Sequence, residues 1–131
     1  MSKLKIVDQP DCGNAPRREL VRELTTHLAA REASLVTAFL SDDVEWSVNG
    51  NTPMRGTDAV EAWISAGPAL RELRFGAILS HGREASIDGV MVPTSGALLP
   101  FSVFFRFTST AKTAPIAAVR SYFVERRDSP R

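Results

Sequence analysis

The segment FLSDDVEWSVNG, Phe39 to Gly50, sets Asp42, Asp43 and Glu45 beside Trp46. Carboxylates next to an aromatic ring suit general acid/base catalysis, provided that one of them faces a substrate. His27 and His81 are the other acid/base candidates, because histidine titrates near neutrality without perturbation. Cys12 precedes a helix start, where a thiolate would gain from the helix dipole, but no histidine lies close in sequence to activate it. Two histidines and one cysteine, widely scattered, do not make a metal site. Neither a phosphate-cradling glycine loop nor a nucleophile elbow is present, and no cofactor is implied.

Whether these groups can act depends on the elements that carry them. Asn14 is a good N-cap and Pro16 suits a first helical turn; Leu20, Val21, Leu24 and Leu28 then recur at helical spacing. A second helical run carries Leu35, Val36, Phe39 and Leu40 and is expected to stop at Ser41-Asp42-Asp43, where short carboxylates cap local N–H groups. Val44, Trp46 and Val48 alternate with Glu45 and Ser47, the pattern of a short strand, so the apolar set faces inward and Glu45 outward. Asn49-Gly50 is a turn signal within the loop NGNTPMRG. Thr57 or Asp58 is the expected cap of a third helix, Asp58 with Glu61 forming a capping-box pair. That helix groups Val60, Trp63 and Ile64 and ends at Gly67-Pro68.

From Leu73 onward the pattern becomes strands, near Leu73–Ser80, Arg83–Val92, Leu98–Phe107 and Ile116–Glu125. Turns fall at His81-Gly82, Pro93–Gly96 and Thr108–Pro115, and Asp88-Gly89 marks a turn or a bulge. Helices followed by neighbouring strands predict an α+β fold: a cone-shaped, curved antiparallel sheet wrapped around three N-terminal helices, a cystatin-like α+β roll.

A chain of 131 residues fits a single domain, here spanning 1–131 with an N-terminal arm (1–13) and a tail (126–131). Hydrophobic content of 44% is ordinary for a globular protein, and a net charge of +1 argues against a nucleic-acid binder. A single cysteine excludes an internal disulfide. The first residues lack the apolar core of a signal peptide, and no apolar run reaches membrane-spanning length. The expected setting is cytoplasmic, without membrane partners.

The order FLSDDVEWSVNG, MRGTDAVEAWI, FSVFFRF and IAAVRSYFVE resembles the nuclear transport factor 2-like superfamily, which includes ketosteroid isomerases and SnoaL-like polyketide cyclases. The likeness runs from about Asn14 to Glu125. The isomerases use a carboxylate base with a Tyr and a protonated Asp as oxyanion hole. Laid on this sequence without gaps from Ser41-Asp42-Asp43, those positions fall on Val48, near Leu24 and near Val103. All three are apolar, so ordinary ketosteroid isomerase chemistry is not expected. The superfamily's epoxide hydrolases use an Asp–Arg–Asp set; Arg106 and Arg120 lie on strands here without a strand Asp beside them.

By parity Trp46, Phe101, Val103, Phe105, Val119 and Phe123 point inward, joined by Leu24, Val48 and Trp63; the resemblance places Trp63 at an aromatic pocket position. These residues fill a core or line an apolar ligand cavity. His27, one turn beyond Leu24, is within reach of that pocket, and His81 within reach of its rim. Phe104, Arg106, Arg120 and Tyr122, with Ile116 and Ala118, take the outer sheet face, where exposed aromatics signal an interface; the resemblance implies a back-to-back homodimer. The expected function is binding of a small hydrophobic molecule, with or without cofactor-independent isomerase, cyclase or hydrolase-like chemistry. The alternative is a non-catalytic binding or protein-interaction module.

Overall fold

The computed structural model describes residues 4–8 and 16–125; Cys12, Asn14 and the tail 126–131 lie outside them. Helix α1 (Pro16–Ala29) buries Val21, Leu24, Thr25 and Leu28 along one stripe, as the apolar spacing requires. It closes with Glu32 N–H donating to the His27 carbonyl at 2.9 Å and Arg31 N–H to that of Leu28 at 3.1 Å. Arg31 has φ of +61°. This is the paired hydrogen-bond stop of a Schellman motif, with Arg31 in the left-handed position usually given to glycine.

Helix α2 (Ala33–Thr37) is only five residues long, shorter than the apolar run suggested. Leu40 pairs with Ile116 instead and opens strand β2 (Leu40–Val48). Asp42 and Asp43 therefore lie exposed within a strand rather than at a turn, and Leu35 is exposed. Sheet pairing over long sequence separation outweighed the weak local helical preference of this stretch. Strand β3 (Met54–Arg55) hydrogen-bonds back onto β2, opposing Glu45 to Arg55. Helix α3 (Thr57–Ser65) starts from Gly56 at φ +86°, with no side-chain cap; Thr57 is already helical, and Asp58 sits in the first turn, where it favours the dipole.

Strands β4 (Leu70–His81), β5 (Glu84–Pro93), β6 (Leu99–Phe107) and β7 (Ile116–Phe123) form an antiparallel meander. Strand β2 adds to β7 in parallel, and β1 (Lys5–Val7) adds to β4 in parallel. The described sheet is thus mixed, curved and seven-stranded, in the order β1-β4-β5-β6-β7-β2-β3. The α+β architecture matches the sequence expectation; the parallel pairings at both flanks add to the antiparallel centre.

Two irregularities bend the sheet, as bulges do. In β4 the register slips between Phe75 and Ile78, and the Asp88 carboxylate accepts the Ala77 N–H at 2.7 Å. Opposite, Gly89 approaches β4 so closely that a Cβ would overlap the Arg74 carbonyl oxygen. In β7 the register slips beside the Arg106–Phe107 step. Parity therefore flips, and Ile116 is fully buried rather than on the outer face. The core lies in the hollow of the sheet: Trp46, Leu73, Ile87, Val103 and Phe105 pack with Leu24 and Leu28 from α1 and Ile64 from α3, all 2% exposed or less. Each such large side chain contributes about 1.5–3 kcal/mol by leaving water.

Candidate functional site

A cavity of about 150 Å³ opens where the end of α3 meets the ends of β2, β5, β6 and β7. Its wall is apolar: Val48, Trp63, Met91, Leu99 and Phe123, with Gly67 and Pro68 at the lip. The strand alternation that directs Trp46 into the core directs Val48 to this wall. The spacing of α3 places Trp63 over it.

The aromatic rings form a run from core to cavity. Trp46 and Trp63 have centroids 5.5 Å apart, Trp63 and Phe123 6.2 Å, and Phe123 and Phe101 6.4 Å, all tilted, within the range of favourable ring contacts. Two polar devices fix this run. Trp46 Nε1–H donates to Ser121 Oγ at 2.9 Å, and that hydroxyl donates to the Ser47 carbonyl at 3.1 Å. The Asn49 side-chain oxygen accepts the Phe123 N–H at 2.7 Å, while the Asn49 N–H donates to the Ser121 carbonyl at 2.8 Å. Asn49 thus ties the end of β7 to β2 and holds Phe123 at the cavity.

Among the described residues the one charged group on the wall is Arg31. Its Nε–H donates to the Pro68 carbonyl at 2.9 Å. A Cβ on Gly67 would stand 2.5 Å from the guanidinium carbon, so a side chain there would displace the guanidinium from this position. Burial lowers the Arg31 pKa from its ordinary value, and arginine remains a cation in proteins all the same. On the far side of Arg31 lies a second cleft of about 560 Å³, bordered by Leu4, Ile6, Thr26 and Ala69.

Of the pocket residues suggested by sequence, Val48, Trp63 and Phe123 line the cavity. Leu24, Trp46, Phe101, Val103, Phe105 and Val119 lie behind it in the core, each 4% exposed or less. His27 is on the flank of α1, its Nδ1 2.7 Å from Glu32 Oε1 and its Nε2 3.6 Å from Glu23; it does not line the cavity. His81 is at the far end of β4, opposite Glu84, which pairs with Arg106 of β6. It borders a shallow hollow of about 220 Å³ with Leu79 and Phe104. Glu45 binds Arg55 at 2.5 Å outside the cavity. Among the described residues no group of three or more His, Cys, Asp or Glu is placed to hold a metal, and no helix is long and apolar enough to cross a membrane.

Sequence reasoning missed Arg31, Gly67, Met91 and Leu99 as wall residues. Gly67-Pro68 was visible only as a helix end, and nothing local marks Arg31, since its position depends on the turn between two helices. Val48, where the resemblance puts the isomerase base, does face the cavity, and it offers only methyl groups.

On the outer face Phe104 and Tyr122 meet edge-to-face at 6.5 Å, and the Arg120 guanidinium lies 5.3 Å from the Phe104 ring. Arg106 donates to Glu84 at 2.7 Å, a bond that lowers the Glu84 pKa. Leu79 on the same face is 62% exposed.

No protein-family profile and no curated protein matches the chain. Solved structures do. An NTF2-like protein of unknown function from Burkholderia pseudomallei superposes with a TM-score of 0.67 at 21% identity, over 86% of this chain and 93% of that one. Another from Burkholderia xenovorans gives 0.69 at 16% identity, over 88% and 91%. A "putative ketosteroid isomerase" from Kribbella flavida gives 0.69 at 18%, over 88% and 83%. At these identities the likeness speaks for architecture: the chain has the nuclear transport factor 2-like fold.

Proposed function

We propose that the protein binds a small, mainly apolar molecule in the cavity beneath Trp63. The observation that carries this reading is the cavity wall itself: Trp63, Phe123, Leu99, Met91 and Val48 converge at the open end of the curved sheet, with few polar atoms, as small-molecule sites do. A space of about 150 Å³ suits a guest of one ring, since an apolar cavity of that order accepts benzene. Drug-sized ligands occupy roughly 300–1,000 Å³.

Binding without proton transfer is the leading reading. Among the described residues Arg31 is the only ionisable side chain on the wall, and a guanidinium is not a general base near neutrality. The Kribbella flavida neighbour's description favours isomerase-like chemistry as a second reading; this chain would then need a base from outside the present lining, with His27 and His81 as the histidines to remove first. In the same proposal the cytoplasmic protein works as a two-fold dimer through Phe104, Arg106, Arg120 and Tyr122.

Tryptophan emission tests the leading reading. Titration with toluene, cyclohexane and a monocyclic monoterpene should give a saturable change that a Trp63→Phe variant loses. A flat response to every single-ring probe overturns it.

A further inference from the structure

Arg31 stands where its backbone disfavours it. It occupies the left-handed stop of α1 at φ +61°, a position that favours glycine over any residue with a side chain. Backbone strain of this kind persists where the side chain has work to do. Here that side chain runs under the end of α3 into space left by Gly67, and its guanidinium reaches the wall of an apolar cavity.

Among the described residues the charge has no carboxylate counter-ion. Arg22, Arg55, Arg74 and Arg106 each pair with a carboxylate, on Asp8, Glu45, Glu72 and Glu84 respectively, whereas among the described residues none pairs with Arg31. The adjacent carboxylate, Glu32, is turned to His27 Nδ1 at 2.7 Å. Among the described residues the hydrogen bond that holds the Arg31 side chain runs from Nε to the Pro68 carbonyl. A half-buried cation on an apolar wall, its terminal nitrogens unpaired with any carboxylate among the described residues, is open to an anionic partner.

We propose that the occupant of the cavity is a small monocarboxylate, its carboxylate held by the Arg31 guanidinium and its single-ring or short-chain body lying against Trp63, Leu99 and Phe123. This rests on the cavity being a binding site and narrows the guest's chemical class. One guanidinium matches one carboxylate in a fork-to-fork pair. A phosphate would bring close to two charges to a wall with one cation.

The test pairs acids with neutral isosteres: benzoate against benzamide, and phenylacetate against phenylacetamide, titrated at pH 7 by calorimetry and tryptophan emission. The wild-type chain should bind the acids at least tenfold more tightly than the amides. Arg31→Gln should lose at least tenfold for the acids and leave the amides within about twofold. Arg31→Gly, which suits the left-handed backbone, keeps the fold and should show the same selective loss; thermal unfolding checks both variants. Equal binding of acids and amides to wild type overturns the anchor and leaves the apolar cavity standing. Failure of every probe to bind wild type overturns both.

Discussion

Trp46, fully buried on β2, donates its indole N–H to the Ser121 hydroxyl of β7 at 2.9 Å, across the parallel pairing of the two strands. The largest core ring is therefore positioned by one hydrogen bond as well as by packing. Ser121→Ala leaves that N–H unsatisfied in the interior, where an orphaned donor costs about 1–3 kcal/mol. Chemical denaturation should show a loss of that size, and a double-mutant cycle with Trp46→Phe should give a coupling of about 1 kcal/mol. Additive effects would mean that the bond contributes nothing.

Gly89 faces the Arg74 carbonyl at the bend of the β4–β5 pair, with no room for a Cβ. Gly89→Ala must push these strands apart where the sheet curves. The expected loss is about 3 kcal/mol, the upper part of the overpacking range, read from the urea midpoint. An unchanged midpoint would show that the bend tolerates separation.

Glu72 is almost enclosed, at 6% exposure, yet its pKa is lowered, first by the hydrogen bond from Arg74 Nε at 2.6 Å and then by the charges of Arg74, Lys5 and Arg71. A depressed folded pKa gives stability that is fully present above the unfolded carboxylate value, near 4.3, and is lost as pH falls through the lower folded value. The stability difference between wild type and Glu72→Gln should therefore stay flat above about pH 5 and shrink steadily below about pH 4. A difference independent of pH down to acid unfolding contradicts the assignment.

Phe104 and Tyr122 stand 40% and 38% exposed on the outer sheet face, edge-to-face and flanked by Arg120. If two copies pair through this face, Phe104→Glu places two carboxylates in a desolvated interface, and sedimentation at micromolar concentration should move from dimer to monomer. The exposed site predicts little change in monomer stability, within about 0.5 kcal/mol. A wild-type monomer at that concentration rules the interface out.

The residues that fixed the fold class were those whose burial follows from local spacing. Val21, Leu24 and Leu28 mark one helix face, and Phe101, Val103, Phe105 and Phe107 alternate along one strand, so element type and facing could be read from sequence. Leu40 and the Asp42-Asp43 pair could not be placed this way. Their strand is held by β7, more than seventy residues away, which pairs with Leu40 and again from Glu45 onward, on either side of the two aspartates. Ile116 went to the core because a bulge, itself a product of two strands in register, reversed its parity.

The candidate site divides along the same line. Trp46, Trp63 and Val48 declared their inward direction through periodicity, and the sequence also established that the position implied for an isomerase base is apolar. Which of these side chains pack solid and which border empty space was decided by the curvature of the sheet, a sum of bulges and close approaches between distant strands. Arg31 was decided by tertiary structure alone. Its side chain leaves a left-handed turn and crosses to a glycine 36 residues later, so that its enclosure has no signature in the residues beside it.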